Sequence, residues 1–254
     1  MKVSIITIVY NNIDTIEDCI NSVLAQTYSD VEYILIDGLS SDGTLNLVNS
    51  YSDKIDVIVS EKDKGLYDAL NKGVLHATGD VVGILHSDDV FYDVDVLSRV
   101  VETFKKSRSD IVYGNGVYTS RSNLNQIRRI YKSSPFKNAK LKYGWVPLHT
   151  CIYAKREVFD KYGLYDTNYS IASDYEITLR WFLNEKISKN YLDSFLVKMR
   201  LGGKSTTLKL QKMKSAEDLE IIQKYNLSGY RTLFCKILRK LPQYLKGCYM
   251  LKDN

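Results

Sequence analysis

Over its first 115 residues the chain alternates β-branched apolar runs with helical stretches across short polar connections. A mostly parallel sheet with right-handed crossover helices accommodates that pattern, and an all-helical bundle or a β-sandwich does not. Val3 to Val9 reads as a strand buried on both faces. A helix is expected next, through about Gln26, with Asp14 as its cap, Glu17 completing a capping box, and Ile16, Ile20, Val23 and Leu24 facing inward. Val31 to Ile36, Ile55 to Val59 and Val81 to Leu85 read as three further strands. The intervening helices are expected over Leu45 to Tyr51, opened by Asp42-Gly-Thr, and over Gly65 to Ala77, with another near Val94 to Lys105. Ligands on such sheets bind beyond the carboxyl ends of the strands.

From about Asp110 the pattern changes. Ile111 to Tyr113, Val117 to Thr119 and Ile127 to Tyr131 read as short strands, followed by an irregular stretch through Trp145-Val-Pro-Leu-His149. A strand around Cys151 to Ala154 and helices over Arg156 to Tyr162 and Tyr175 to Asn184 come next, and after Arg200 to Ser205 the chain reads as helical. Without a repeat or a low-complexity linker, the two halves are expected to share one sheet.

Charge separates a body from a tail. The net charge is +5, and residues 226–254 alone carry six Lys or Arg against one acid. The remainder is neutral, so it offers no excess positive field for a nucleic-acid backbone. Cys19, Cys151, Cys235 and Cys248 are scattered, which suits reduced thiols in the cytoplasm better than a disulfide framework or a zinc site. The N-terminal run has no small-residue cleavage site, and no segment approaches the ~18 apolar residues of a membrane span.

Polar residues gather where the strands end: Tyr10-Asn11-Asn12 after the first, Asp37-Gly38 after the second, His86-Ser-Asp88-Asp89 after the fourth. Parallel strands point these ends the same way, toward one crevice. No G-x-G-x-x-G follows the first strand and no P-loop occurs, which excludes the usual dinucleotide and NTPase loops. Adjacent carboxylates such as Asp88 and Asp89 suit a hard divalent cation that takes substrate phosphates as further ligands, or else a helix cap beside a solvated turn acid.

In order along the chain stand Tyr10-Asn11, Asp37-Gly-x-Ser40-x-Asp42-Gly-Thr44, Asp63-x-Gly65-x-Tyr-Asp68-Ala-x-Asn71-x-Gly73 and Ser87-Asp88-Asp89. Pro147-x-His149, Ala172-Ser-Asp174-Tyr-Glu176 and Gly202-Gly203-x-Ser205 follow. This series resembles the family 2 glycosyltransferases of the GT-A fold, in the bacterial branch that builds surface polysaccharides, over roughly residues 1–205. The resemblance implies an α/β fold with a Rossmann-like, mostly parallel sheet, helices on both faces and a C-terminal helical extension. It also implies an inverting, metal-dependent transfer from a nucleotide sugar, with a UDP-sugar expected, to a glycan or lipid-linked saccharide. Three regions are expected: a donor-binding half over residues 1–115, a half carrying the acceptor site and the catalytic base over 116–205, and a basic helical tail over 206–254.

By the same resemblance Asp174 is the general base, and its alternative role is an N-cap. Asp89 is the main ligand of Mn²⁺ or Mg²⁺ with His149 as a candidate second ligand, and Asp88 contacts the donor. His86 stands where the family often has Asp or Asn, so a literal D-x-D is missing. Thr7, Val9, Tyr10 and Asn11 resemble the wall that holds the base, and Asp37 the acid that accepts a base N–H. Lys64 is expected on the diphosphate, with Asp68 and Asn71 beside it. Trp145, Tyr143, Tyr165 and Tyr169 are candidates to stack on sugars, and Gly202 to Ser205 is a candidate lid. A sugar nucleotidyltransferase is the rival enzyme, but it would want a glycine- and arginine-rich loop where Asn11-Asn12-Ile13 stands. A non-catalytic nucleotide-sugar-binding protein is the rival outside enzymes.

The tail repeats apolar residues at spacings of three and four (Tyr230, Leu233, Phe234, Ile237, Leu238, Leu241, Leu245) among Arg231, Lys236, Arg239, Lys240 and Lys246, with Pro242 as a breaker. Such a helix suits an anionic membrane surface, or packs on the catalytic body or on a second copy. The expected location is cytoplasmic, peripheral on the cytosolic face of the inner membrane.

Overall fold

The computed structural model describes residues 1–202 and 208–243. A single sheet runs through them, in the order β3-β2-β1-β4-β8-β6-β9-β5, with β7 paired to β6. Strands β1 (Val3–Val9), β2 (Val31–Asp37), β3 (Val57–Ser60) and β4 (Val81–Ile84) are parallel neighbours. Beyond them β8 (Ile152–Lys155) runs antiparallel between β4 and β6 (Ile111–Thr119), and β9 (Lys189–Arg200) lies parallel to β6. β5 (Val90–Phe91) and β7 (Ile127–Tyr131) close the sheet antiparallel to β9 and β6.

Alternation along β1 explains the two apolar layers. Val3, Ile5 and Val9 point to one face, where α1 (Ile16–Leu24), α2 (Thr44–Asn49) and α4 (Val96–Ser107) pack. Ile6 and Ile8 point to the other, beneath α3 (Leu66–His76), α5 (Arg156–Tyr162), α6 (Ser173–Leu183) and α7 (Leu208–Lys224). Burial of each such aliphatic side chain contributes about 1.5–3 kcal/mol. At Gly73 of α3, an added Cβ would stand 2.3 Å from Ile6 Cγ2, so helix and strand approach closely only because no side chain intervenes.

Several expectations change. Asp14 does not cap α1: Thr15 is the N-cap residue, with no side-chain capping bond, and Leu24 faces solvent. The two short strands at 111–119 are one nine-residue strand, with register shifts around Tyr113 to Gly116. β5 and the 12-residue β9 were not legible as strands. The half-buried, mixed sequence of β9 becomes a strand through its long parallel pairing with β6, a contact far apart in sequence. α8 (Gly229–Leu238) ends ahead of Pro242, which itself lies in a helical turn at residues 241–243.

Candidate active site

The ends of β1, β2 and β4 are tied together by side chains. Asn11, in the left-handed region at φ 48°, donates its N–H to Ser40 Oγ at 2.8 Å, and its Oδ1 accepts from Ser41 N at 2.8 Å. Asn12 Nδ2 donates to Ser87 Oγ at 2.9 Å, joining β1 to the turn after β4. Asn11 therefore positions the loop after β2.

Thr7 and Val9 do not line a base pocket. Both share the face of Ile5, under α1: Thr7 Oγ1 accepts from the Tyr33 hydroxyl and lies 3.7 Å from Cys19 Sγ, and the Val9 side chain is buried. Only the Val9 carbonyl reaches the strand end, accepting from Gly38 N at 2.9 Å. Tyr10 is 51% exposed. A Cβ at Gly38 would stand 2.5 Å from Asp63 Oδ2 and 3.4 Å from the Tyr10 ring, so the glycine admits both side chains over its backbone. Asp63, absent from the expected site, thus joins Tyr10 as an acceptor beside an aromatic face. Asp37 is fully buried and accepts from Ser40 N at 3.1 Å and Ser60 Oγ at 2.7 Å.

The residues around Gly65 divide. Lys64 is exposed, while Asp68 Oδ2 accepts from Lys64 N at 2.9 Å and holds the turn. Asn71 makes a reciprocal pair with the Tyr165 backbone, Nδ2 to carbonyl and Oδ1 to N–H, each at 2.9 Å. Its amide is consumed in pinning the 163–169 loop to α3, which corrects its expected donor contact.

After β4 the two aspartates face different surroundings. Asp89 is 2% exposed, its Oδ1 accepts from Arg200 N at 3.1 Å, and burial followed by the Asp88 charge raises its pKa well above the usual carboxylate range. Asp88 is half-buried at the turn. Arg200 gathers this end of the site: its guanidinium donates to the Asp88 carbonyl at 2.8 Å, to the Arg121 carbonyl at 3.2 Å, and to Asp18.

Asp174 is the second residue of α6, not a loop residue before it, and no helix N–H bonds its carboxylate. Its Oδ1 accepts from the Tyr67 hydroxyl at 3.1 Å and its Oδ2 lies 3.2 Å from His149 Nδ1. The loop leading into α6 is held by Glu217, whose carboxylate accepts from Ser170, Ile171 and Ala172 N–H at 2.9 Å each. Burial pushes the Asp174 carboxyl up, but Lys214, His149, Lys236 and the Tyr67 hydroxyl together pull it down to about 2. Burial lowers His149 to about 4, against the opposing charge of Asp174. At neutral pH the carboxylate is ionised and the imidazole neutral, so Nδ1–H donates to Asp174. His149 Nε2 then accepts from His86 Nε2 at 2.8 Å. Both ring nitrogens of His149 are thus engaged within the protein.

Among the described residues no three His, Cys, Asp or Glu side chains converge as a metal cage. A cation that binds mainly through phosphate oxygens needs only one or two protein carboxylates, and the adjacent Asp88 and Asp89 offer that number at the turn after β4. The sugar-stacking candidates also separate: Trp145, Tyr165 and Tyr169 are buried and Tyr143 is exposed. Gly203 to Ser205 of the candidate lid lie outside the described residues, as do Leu245 and Lys246. A cavity of about 460 Å³ beside Phe136 and Lys189 lies at the amino end of β9 and belongs to no part of this site.

Comparisons with known proteins identify the family and the fold. The model of the family described as Glycosyl transferase family 2 matches residues 4–163. A PGL/p-HBAD biosynthesis glycosyltransferase of Mycobacterium bovis is 30% identical over 242 residues, covering 92% of this chain and 88% of that protein. An uncharacterized glycosyltransferase of Mycobacterium tuberculosis is 34% identical over 181 residues, 70% of this chain and 68% of its own. Among solved structures, S. aureus TarS 1-349 in complex with UDP-GlcNAc superposes with a TM-score of 0.66 at 18% identity, covering 97% of this chain and 79% of that one. In another structure of TarS 1-349 this chain spans 64% of the solved chain. The mannosyltransferase PcManGT from Pyrobaculum calidifontis, in complex with GDP-Man and Mn²⁺, gives 0.67 at 18% identity, covering 99% and 75%. At such identities these structures speak to the fold, which is that of the GT-A glycosyltransferases.

Proposed function

The chain belongs to glycosyl transferase family 2, and on that premise we propose that it moves a sugar from a nucleotide-sugar donor, a UDP-sugar in the first instance, to a hydroxyl of a glycan or lipid-linked saccharide in cell-surface polysaccharide synthesis. The observation that carries the reading is Asp174, a carboxylate held on both oxygens at the crevice where β1, β2 and β4 end. In this reading Tyr10 and Asp63, which meet over Gly38, take the base, Lys64 meets the diphosphate, and Asp174 receives the acceptor proton. Residues 1–115 then serve the donor, 116–205 the acceptor, and 206–254 the location, which we place at the cytosolic face of the inner membrane.

The transfer would run in line. The acceptor oxygen forms a bond to the anomeric carbon as the bond to the diphosphate oxygen breaks, and the electron pair leaves with the nucleoside diphosphate. Configuration at that carbon inverts. The acceptor hydroxyl turns acidic only as its new bond forms, so a carboxylate that is a weak base at rest accepts the proton late in the step. The Tyr67 hydroxyl and His149 Nδ1–H fix the carboxylate for that transfer. When bound, Mn²⁺ or Mg²⁺ supplies Lewis-acid stabilisation of the leaving diphosphate, and Asp88 and Asp89 are the residues that would hold it.

Calorimetric titration with UDP, with Mn²⁺ and then with chelator, tests the donor side. Binding at least about tenfold tighter with the cation, a gain of about 1.4 kcal/mol, is expected. Equal affinity in chelator removes the metal from the reading, and no UDP binding in either buffer removes the UDP-sugar.

A further inference from the structure

The basic tail divides in the structure into an anchoring side and a presented side. Thr232 of α8 is buried and donates its hydroxyl to the Lys142 carbonyl at 2.8 Å. Leu233 packs against the apolar core. Lys236, which the sequence groups with the surface cations, is turned inward: its Nζ lies 2.7 Å from Asp218 Oδ1 and 3.2 Å from the centre of the Tyr175 ring. α8 is thus fixed to the body by three inward residues, Thr232, Leu233 and Lys236.

Among the described residues nothing covers the opposite side in this way. Tyr230, Phe234, Ile237, Leu238 and Leu241 are exposed, Tyr230 by 74% and Phe234 and Leu241 by 61% each. At about 100° per residue the four of these within α8 fall on one stripe, with exposed Arg231 at its edge and exposed Arg239 and Lys240 just past the helix end. A soluble surface seldom presents so continuous an apolar stripe unless something covers it. A second apolar surface would match the stripe but not its cationic margins, whereas an anionic bilayer matches both.

We propose that this face of α8 is a docking surface for an anionic lipid bilayer, and that it turns the acceptor side of the crevice toward the membrane. The second half follows from Lys236, which joins α8 to Tyr175, the residue next to Asp174. The base lies one side-chain layer behind the docking helix, so an acceptor anchored in the same bilayer would meet it without leaving the surface. This orientation rests on the glycosyl-transfer reading above, whereas the docking itself does not.

The test is co-sedimentation of the full chain with unilamellar vesicles of phosphatidylcholine carrying about a third phosphatidylserine, and with phosphatidylcholine alone, at low and high salt. Binding to the anionic vesicles that weakens at high salt and falls at least fivefold in the double variant Phe234→Ser/Ile237→Ser is expected. The variant Arg239→Glu/Lys240→Glu should lose the salt-sensitive part. The thermal midpoint of each variant, measured alongside, shows that it is folded. Failure to sediment with anionic vesicles overturns the proposal, and so does a lipid-free dimer that Phe234→Ser/Ile237→Ser dissociates. UDP titration of the same samples separates the two readings: vesicle binding without UDP binding removes the UDP-sugar donor alone, and the reverse removes the docking alone.

Discussion

His149 Nδ1 lies 3.2 Å from Asp174 Oδ2, while the same imidazole meets His86 through its other nitrogen. That pairing joins the turn after β4 to the start of α6 and fixes one tautomer of His149 next to the carboxylate. It also determines how the reaction should respond to pH. Asp174 is lowered to about 2 and His149 to about 4, so the ionised carboxylate and neutral imidazole persist down to roughly pH 5.

The acid limb of kcat is therefore expected below pH 5. Tyr67→Phe removes a hydrogen bond to the ionised form of Asp174, so its pKa rises and the limb moves toward neutral pH. kcat should fall about tenfold with donor KM little changed, because the lost bond orients the base rather than binding the donor. A wild-type limb near pH 6.5, or no shift in the variant, would exclude this network from the proton transfer. The pH profile of initial rates measures both.

Asn71→Ala separates structure from binding. Two hydrogen bonds to the Tyr165 backbone disappear, at a cost of about 1–3 kcal/mol of stability. Denaturant unfolding should show that loss, while UDP affinity stays within about twofold. A large loss of affinity with unchanged stability would restore Asn71 to the donor site.

Arg200→Met strips the positive neighbour from buried Asp89 and leaves the Asp88 and Arg121 carbonyls without their donor. Breaking one side of such a buried arrangement costs on the order of 3–5 kcal/mol. A drop of that size in unfolding free energy is expected at pH 7. It should shrink toward acid pH, because the raised pKa of Asp89 brings its protonation, and relief of the unpaired charge, into reach as pH falls.

Much of this was legible along the chain. Continuous β-branched runs fixed β1 and β2 to within a residue or two, since a strand buried on both faces leaves few other readings. β9 was not, because its mixed residues become a strand only by lying along β6. The clustering of polar residues at strand ends located the crevice, but residue type could not assign roles within it. Thr7 and Asn71 looked like ligands until the strand alternation and the Tyr165 backbone accounted for them. Asp63 and Tyr67 stood in the quoted series, yet only the absent side chain of Gly38 and the Tyr67 bond to Asp174 give them work. Asp88 and Asp89 are adjacent and chemically alike, and what separates them is Arg200, more than a hundred residues away.

The central claim is that Asp174 takes the acceptor proton in sugar transfer. Nucleoside diphosphate release from a nucleotide sugar, in the presence of an acceptor and alongside donor affinity in the same preparations, tests it in wild type and Asp174→Asn. The account predicts a fall in turnover of about 10²–10⁴-fold with donor Kd within a few fold. Turnover within a few fold of wild type in Asp174→Asn would contradict it.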